Sequence, residues 1–438
     1  MSSVTYPENW KGVTIENISS FVGRGIGPNY SDIETDVIAI NQKCIRNGKV
    51  NIDFGRYHDN ASLVRQSAIL NTNDICINST GDGTIGRVGL WDKPNSTSSF
   101  FVDSHVTIVR PISEERDSKY LSELLSSEWI QNDIARYCFT GSTNQVELSR
   151  TELLQLTLYF PELKQQQKIA EILSTVDNLI DQTQSLIDKY TAVKLGMMAD
   201  LSSRGIDISG TPETNKSYGQ LRPSYEDAPE LYQETELGFI PKDWHAEPLQ
   251  EFLSLITYGF TNPMPETEDG PWMVTAANVI DGEIDYKNTR HTSLEAFNTL
   301  LTQKSKPKLN DILLTKDGTL GRLALVDDET VCINQSVALL RCNEKVKPHF
   351  MKLLLETEKY YHKMLDDAGG STIKHIYITI VDKMLIGLPP NPKEQDAIYS
   401  KAAAIIEKIN TEKTYLEKLK LKKKGLMQDL LTGKVKVS

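Results

Sequence analysis

The chain is organised around one stretch, residues 160–204, which reads FPELKQQQKIAEILSTVDNLIDQTQSLIDKYTAVKLGMMADLSSR. Apolar side chains recur in it at spacings of three and four residues, from Ile169 to Leu201. That period is typical of an amphipathic helix whose apolar seam packs against another helix. Because no Pro or Gly interrupts the pattern before Gly196, it predicts a helix of about 35 to 40 residues, roughly 50 to 60 Å long.

The same stretch occurs a second time, starting at Pro389 and Pro390. Its members follow those of the first copy at a constant separation of 229 positions, as in Gly196 and Gly425. A constant separation over such a length indicates an internal repeat. We therefore predict that the two helices pair with each other, and antiparallel, because a parallel pair would force the connection to retrace a helix length. The predicted helix-pair interface comprises Ile169, Ile172, Val176, Leu179, Leu186, Val193, Ile398, Ile405, Ile409, Leu416, Leu419 and Leu426.

The residues before each helix also repeat. Pro7 and Trp10 match Pro241 and Trp244, and the turn-like segment at 82–87 matches the one at 317–322. Short β-rich runs bounded by Gly, Asn and Asp indicate strands, and the segments 120–137 and 349–365 each predict one amphipathic helix. We therefore predict an α+β fold duplicated in tandem, with a pseudo-two-fold relation. Its parts are a first block at 1–160, a helix at 161–204, an extended linker at 205–236, a second block at 237–389 and a helix at 390–438.

Composition limits the class of protein. The 438 residues carry a net charge of −11, with 39% hydrophobic and 24% charged residues. The five cysteines form no CxxC pair, so we expect reduced thiols and no zinc site. No apolar run is long enough to span a membrane, and the first residues lack the pattern of a secretory signal, so we expect a cytoplasmic protein.

The charge bears on nucleic-acid binding in two ways. Taken alone, −11 argues against a protein that holds nucleic acid by its bulk charge, although local basic surfaces or partners can supply phosphate contacts. One local run is strongly basic, and for it a solvated helix face is favoured over DNA contact. It comprises Lys418, Lys420, Lys422, Lys423 and Lys424.

Sequence signatures of enzymes are absent: there is no GxxxxGK[ST] loop, no HExxH and no GxSxG elbow. The glycines around Arg24 superficially resemble a dinucleotide fingerprint, but Pro28 follows and no helix pattern does. Histidines are dispersed and none is repeated between the blocks. The sequence therefore contains no motif that points to a catalytic, metal or cofactor site.

The repeated Asp-Gly-Thr-Ile/Leu-Gly-Arg segment is the most conspicuous motif in the two blocks. Its glycines predict a tight turn between strands, and its arginine, Arg87 or Arg322, can either brace the fold or reach a phosphate or guanine edge. Two short polar loops suit contact with phosphates or bases, and weaker candidates lie near the early glycines. The loop candidates are Ser142, Thr143, Asn144, Gln145, Ser371, Thr372, Lys374 and His375, and the weaker ones are Arg24, Lys43, Arg46, Tyr258 and Arg290.

Taken together, these motifs resemble the specificity subunit of type I restriction-modification enzymes over essentially the whole chain. The resemblance rests on the order and duplication of modest motifs: the Pro-x-x-Trp block starts, the two Asp-Gly-Thr-x-Gly-Arg turns, and the helix starts around Gln166 and Gln395. One difference, Gln165 where the second copy has Glu394, is expected to have no consequence.

The resemblance implies that the blocks are target-recognition domains, each reading one half of a split double-stranded DNA site, while the helices fix the gap. It implies two modification subunits, which hold S-adenosylmethionine and methylate adenine, and usually two restriction subunits driven by ATP with Mg. It also implies that this chain binds no cofactor and performs no catalysis itself.

Two other functions remain open at this point. The chain could be a protein-interaction scaffold with two recognition modules on a helical spacer and no DNA binding, which the net charge of −11 favours. It could also be an enzyme with twin active sites, which the absence of motifs disfavours. Salt-dependent DNA binding separates the first alternative from a DNA reader.

Overall fold

The computed structural model describes residues 4–59, 64–112, 114–141, 146–366 and 375–437. The chain divides into two compact units. Unit 1 contains Met1–Gln184 and Lys413–Ser438, and unit 2 contains Ser185–Glu412. Each of the two long helices therefore contributes one part to each unit.

Unit 1 is an α+β structure. Its strands are β1 (Lys11–Thr14), β2 (Ser19–Arg24), β3 (Val37–Ile40), β4 (Ile45–Arg46), β5 (Gly48–Val50), β6 (Arg56–Tyr57), β7 (Ile75–Asn78), β8 (Val88–Leu90), β9 (Ser99–Val102), β10 (Val106–Pro111), β11 (Phe139–Thr140), β12 (Glu147–Leu148) and β13 (Thr157–Phe160). Its helices are α1 (Ile15–Ile18), α2 (Ser118–Ser126), α3 (Glu128–Asp133), α4 (Arg150–Gln155) and the first part of α5 (Leu163–Arg204).

Unit 2 follows the same plan. Its strands are β14 (Tyr232–Thr235), β15 (Gly238–Pro241), β16 (His245–Pro248), β17 (Leu253–Tyr258), β18 (Thr267–Val274), β19 (Val279–Ile280), β20 (Glu283–Ile284), β21 (Arg290–His291), β22 (Ile312–Thr315), β23 (Leu323–Leu325), β24 (Val331–Ile333), β25 (Val337–Cys342) and β26 (Leu385–Leu388). Its helices are α6 (Leu294–Leu300), α7 (Pro348–Leu355), α8 (Glu358–Asp366), α9 (Ile378–Val381) and the first part of α10 (Pro392–Leu431).

The sheets show that the sequence repeat is a repeat of topology. In unit 1 the main sheet contains the order β2-β10-β7-β8, and in unit 2 the order β17-β25-β22-β23 is the same. All of these neighbours pair antiparallel in both units. A parallel pair accompanies each sheet, β3 with β9 and β18 with β24. The predicted tandem α+β duplication is confirmed.

The segments expected to form single helices are each divided in two. Ser127 has an extended backbone (φ −66°, ψ 144°) between α2 and α3, and its hydroxyl donates to the Leu124 carbonyl oxygen at 2.6 Å. In unit 2 the Thr357 hydroxyl donates to the Leu354 carbonyl oxygen at 2.7 Å between α7 and α8. The same two carbonyl oxygens also accept the backbone N–H groups of Ser127 and Thr357, at 3.1 Å in each unit, so these two residues close the ends of α2 and α7.

The repeated glutamine of the long helices holds the start of a neighbouring helix. The Gln166 side-chain oxygen accepts from the backbone N–H of Asp117, the residue that caps α2, at 3.1 Å. In unit 2 the Gln395 oxygen accepts from the N–H of Lys347, which precedes α7, at 2.9 Å. Both glutamines are buried, and both amide nitrogens donate to carbonyls at the preceding strand end. The repeat therefore conserves a packing contact between helix and block.

The long helices pair antiparallel, as predicted. In unit 1, Ile169 near the start of α5 shares a core with Leu430 near the end of α10. In unit 2, Leu201 near the end of α5 shares a core with Ile398 near the start of α10.

The interface positions predicted by spacing are not equally buried. Ile169, Val176, Ile398, Ile409, Leu416 and Leu419 are buried, whereas Ile172, Leu186, Ile405 and Leu426 are partly exposed. Leu179 and Val193 are 39% and 49% exposed, which corrects their assignment to the seam. Thr183, whose hydroxyl donates to the Leu179 carbonyl oxygen at 2.7 Å, and Ile187 are buried on this helix instead. An α-helix has about 3.6 residues per turn, whereas alternate spacings of three and four average about 3.5. Residues at those spacings therefore rotate gradually away from one face along a long helix.

The segment at 205–236 is ordered, in contrast to the extended linker expected from its composition. Ile206 and Arg222 are buried within unit 2, and Ile206 forms an isolated β-bridge with Leu221. Tyr232 begins the hairpin of β14 and β15, and its hydroxyl donates to the Pro223 carbonyl. Composition predicted the lack of periodicity here but not the packing of the segment.

The difference between Gln165 and Glu394 has a consequence, contrary to expectation. Glu394 is 1% exposed and accepts from the guanidinium of Arg222, from the N–H of Ile206 at 3.0 Å and from the indole of Trp244 at 3.2 Å. In unit 1, Gln165 instead donates to the Val437 carbonyl at 3.3 Å. A buried carboxylate needs a positive partner, and in unit 2 Arg222 of the 205–236 segment supplies it.

Candidate nucleic-acid interface

The two repeated turns have the same geometry. Gly83 and Gly86 in unit 1, and Gly318 and Gly321 in unit 2, all have positive φ, which explains the two glycines in each motif. Each turn joins matched strands, β7 to β8 and β22 to β23. The predicted tight turn between strands is therefore present in both units.

The arginine that ends each turn is exposed and also braces the structure. The Arg87 guanidinium donates to the Gly83 carbonyl oxygen at 2.9 Å, within its own turn. Arg322 donates to the Val279 carbonyl oxygen at 3.3 Å. Since a guanidinium carries five N–H donors, one backbone contact leaves donors for a ligand. The geometry shows the bracing contact, and DNA contact by Arg87 and Arg322 stays a prediction.

Arg24 lies at the end of β2 in an ion pair. Its guanidinium donates to Glu147 Oε2 and to the Leu148 carbonyl oxygen, both at 3.0 Å. The Leu148 N–H in turn donates to the Ser79 carbonyl oxygen, beyond the end of β7, at 2.8 Å. The ends of β2, β7 and β12 thus meet at one edge of unit 1, which we name edge 1, defined by Arg24, Ser79 and Glu147.

Unit 2 has the equivalent edge, which we name edge 2, defined by Tyr258, Lys316, Asp317 and His375. The Ile376 N–H donates to the Lys316 carbonyl oxygen at 2.9 Å, and Lys316 follows β22 as Ser79 follows β7. Tyr258 ends β17 with its side chain exposed, and Lys316 Nζ lies 5.7 Å from its ring centroid.

Asp317 pairs with both basic side chains of edge 2. Its carboxylate accepts from Lys316 Nζ at 2.7 Å and from His375 Nδ1 at 2.6 Å. Burial by itself raises the pKa of Asp317, but these hydrogen bonds outweigh burial, and the pKa lies below its ordinary value. The carboxylate is therefore ionised at neutral pH and fixes the orientation of the imidazole.

The other basic candidates lie on separate parts of the surface. Lys43 and Arg46 are exposed in unit 1, and Arg46 stacks on Phe54 with 4.1 Å from its guanidinium carbon to the ring centroid. Arg290 is exposed in unit 2 and pairs with Glu266. None of these three joins edge 1 or edge 2 through a contact in the described part of the chain.

The remaining loop candidates lie outside the described residues. They are Ser142, Thr143, Asn144, Gln145, Ser371, Thr372 and Lys374. Their contact with DNA stays a prediction.

The basic run on α10 is divided between solvent and the interior of unit 1. Lys423 Nζ lies 2.8 Å from Asp177 Oδ2 on α5 and 3.1 Å from Glu123 Oε1 on α2, and its side chain is largely buried. Lys424 pairs with Glu128, and Lys420 with Glu417 of the same helix. At least part of this run therefore holds unit 1 together.

Sequence reasoning missed several residues of these sites. Glu147, Lys316 and Asp317 contribute to the two edges, and Arg222 holds Glu394, yet none of them was proposed. Asp317 opens the repeated turn, so its position in the motif could have drawn attention to it. No sequence signal links Arg222 with Glu394, because 172 positions separate them.

Two absences concern the described ranges only. Among the helices they contain, none has both the length and the apolar character that crossing a membrane requires. Within the same ranges, no three His, Cys, Asp or Glu side chains converge as ligands of a metal ion would.

Comparison with known proteins identifies the family. The model of the type I restriction modification DNA specificity domain matches residues 7–190 and 241–421. The chain is 28% identical over 363 residues to a Methanocaldococcus jannaschii protein provisionally named the MjaX type I restriction enzyme specificity subunit, covering 81% of this chain and 76% of the relative. It is 22% identical to the MjaVIII specificity subunit of the same organism, covering 100% of this chain and 95% of the relative.

The fold has solved counterparts as well. The S subunit of a type I restriction-modification system from M. genitalium superposes with a TM-score of 0.56 at 15% identity, covering 98% of this chain and 97% of that one. At this identity the likeness shows the fold alone. With the family model matched once in each half, the chain belongs to the family of type I restriction-modification specificity subunits.

Proposed function

We propose that this chain is the DNA-reading subunit of a type I restriction-modification complex and that each unit reads one half of a bipartite, asymmetric site. The two long helices fix the gap between the half-sites. Adenine methylation and DNA cleavage are carried out by partner subunits, and this chain has no catalytic role. The place of action is the cytoplasm, where bacterial and archaeal DNA is found.

One observation carries this proposal: the two units share a scaffold but differ in their exposed polar side chains. Matched strands and turns place Arg24 and Glu147 at edge 1, where unit 2 has Tyr258 and His375 at edge 2. A common scaffold with different side chains at its loops suits two readers of unlike sequences on one duplex.

Exposed apolar residues on the helices support assembly with partners. Leu421 of α10 is 70% exposed, and Leu195 of α5 and Tyr415 of α10 are also exposed. Large apolar side chains on a helix are common at protein interfaces. We assign these helices to contacts with two modification subunits and two restriction subunits. S-adenosylmethionine, ATP and Mg belong to those partners.

The net charge makes salt dependence a discriminating test. We expect the chain with its modification subunits to bind DNA with an affinity that falls steeply as salt rises, because phosphate neutralisation releases counterions. Methylome sequencing of cells that carry the system should show modified adenines in both halves of a split site. The matched control omits this chain and should show no such modification.

A scaffold without DNA binding is the competing function, and the charge of −11 favours it. It predicts no salt-dependent affinity for DNA in either sample, with or without the modification subunits. That result, together with an unmodified methylome, would overturn the DNA-reading proposal.

A further inference from the structure

Edges 1 and 2 have the same backbone framework. The residue after Arg24 and the residue after Tyr258 are matched glycines, Gly25 and Gly259. A Cβ atom on either would lie 1.8 Å from a backbone carbonyl oxygen, that of Val102 or Ile333, so only glycine can occupy these positions. The backbone is therefore constrained in the same way at this point in both units. Arg24 and Tyr258, the residues just before the two glycines, accordingly occupy equivalent positions.

A second pair of positions matches on the other side of each edge. Glu147 precedes Leu148, whose N–H bonds to the Ser79 carbonyl at 2.8 Å, and His375 precedes Ile376, whose N–H bonds to the Lys316 carbonyl at 2.9 Å. Glu147 and His375 therefore occupy equivalent positions, although the segment from Ser79 to Glu147 and the segment from Lys316 to His375 differ in length. At these matched positions an acid in unit 1, Glu147, corresponds to a base in unit 2, His375, and Arg24 corresponds to Tyr258.

The chemistry of edge 1 is a guanidinium with an exposed carboxylate. Side chains of Arg24 and Glu147 are 32% and 53% exposed, so both are accessible. A carboxylate next to DNA is repelled by phosphates unless it accepts a hydrogen bond from a base amino group, cytosine N4 or adenine N6. Arginine in turn is the usual partner of guanine O6 and N7.

The chemistry of edge 2 is cationic and aromatic. Lys316 and His375 share Asp317, and the side chains of His375 and Tyr258 are 40% and 46% exposed. His375 Nε2 and the Tyr258 ring are therefore the groups that edge 2 can offer to a ligand. Neutral histidine with its Nδ1 proton on the carboxylate presents Nε2 as an acceptor, and lysine presents donors only. The carboxylate of edge 2, Asp317, accepts from two donors, Lys316 Nζ and His375 Nδ1. The carboxylate of edge 1, Glu147, accepts from Arg24 through Oε2, and its side chain is 53% exposed.

We infer that Arg24 and Glu147 in unit 1, and Tyr258, Lys316 and His375 in unit 2, are specificity-determining side chains for the two half-sites. This inference rests on the proposed function. It further states that Glu147 selects a base with an exocyclic amino group, adenine or cytosine, in the first half-site. The second half-site has no such requirement.

The test uses the full chain with its modification subunits and selection from a DNA library randomised in both half-sites. Glu147→Gln keeps the size of the side chain and an oxygen that accepts from Arg24. It should lower discrimination at one position of the first half-site about ten- to hundredfold and leave the second half-site unchanged. His375→Gln should do the reverse.

A matched control is Glu171→Gln, which removes a carboxylate from an exposed ion pair with Lys168 on α5. It should leave both half-sites unchanged, with the same thermal midpoint as the other variants. If Glu147→Gln and His375→Gln also change neither half-site, the edges are structural and the inference is wrong, while the DNA-reading function stands. If the wild-type complex selects no sequence, both the inference and the proposed function are overturned.

Discussion

At the scale of residues, buried charges are arranged in sets that differ between the units. Glu394 in unit 2 is held by Arg222, which also bonds Asp243 at 2.9 Å. Trp244 and the Ile206 N–H complete the set. Removing one member of such a set leaves an uncompensated charge in the low-dielectric interior. A substitution in one of these sets should therefore lower the free energy of unfolding more than a substitution in an exposed ion pair.

Arg222→Met should destabilise unit 2 by roughly 3–5 kcal/mol, because it leaves the Glu394 carboxylate buried and without its cation. The double variant Arg222→Met with Glu394→Gln should recover much of that loss, since the amide oxygen still accepts from Ile206 and Trp244. Chemical denaturation gives both free energies of unfolding. A double variant that is no more stable than Arg222→Met would contradict this role for the guanidinium.

Lys423 holds two carboxylates at once, and Lys423→Met should therefore destabilise unit 1 by about 3–5 kcal/mol at neutral pH. Burial raises the pKa of Glu123 above its ordinary value, although Lys423 opposes the rise. A raised carboxyl pKa costs stability as pH rises from the ordinary value through the raised one. The variant lacks the opposing lysine, so its deficit should shrink on acidification through that window.

The control for Lys423→Met is Lys418→Met, in the same basic run but exposed. Its free energy of unfolding should change by less than about 0.5 kcal/mol at either pH. The free energies of unfolding of the wild type, Lys423→Met and Lys418→Met are compared by chemical denaturation at pH 7 and pH 5. Equal effects at the two positions, or a deficit independent of pH, would show that Lys423 does not bridge Glu123 and Asp177.

At the scale of elements, each long helix contains a glycine, which lowers helix stability, at the same position of the repeat. Gly196 in α5 and Gly425 in α10 lie inside helices. Among the described residues, a Cβ at either position would meet no atom within 4 Å apart from the adjoining backbone of its own helix. Glycine inside a helix costs stability because the unfolded chain has more freedom.

Gly196→Ala and Gly425→Ala should each stabilise the chain by roughly 0.5–1 kcal/mol, seen as a higher thermal midpoint. Gly433→Ala is the opposite control. Gly433 has a φ of 72°, and its Cβ would lie 2.5 Å from Pro7 Cγ, so that variant should lose stability. A lower midpoint for the two helix variants would mean that these positions are not regular helix in solution.

At the scale of the whole molecule, the repeat predicts a dimer of the first half. A fragment of residues 1–210 lacks Leu430 and Lys423. In the full chain, Leu430 shares a core with Ile169, and Lys423 pairs with Asp177, both of which the fragment retains. Leu201 and Lys194 occupy the matching repeat positions. A second copy can therefore supply Leu201 to the Ile169 core and Lys194 to Asp177, giving a symmetric dimer that covers the apolar seam.

The fragment should be dimeric by light scattering and, with modification subunits, should methylate an inverted repeat of the first half-site. Lys194→Met should weaken the fragment dimer but have little effect on the full chain, where Lys423 holds Asp177. A monomeric fragment, or one that marks the original asymmetric site, would contradict the two-fold relation between the repeats.

The amino-acid sequence by itself determined the duplication, the two long helices, their antiparallel pairing and the paired turns. These features follow from periodicity, from a constant separation of 229 positions and from glycines such as Gly83 and Gly318, all of which are local or repetitive signals.

Only the tertiary structure decided which charges meet. Arg222 reaches Glu394 and Glu147 reaches Arg24 across more than a hundred positions, and no periodic pattern encodes such pairs. The same is true of the ordered 205–236 segment and of the exposed Leu179 and Val193. Their positions depend on how packed elements exclude water around each side chain, which spacing along one helix does not specify.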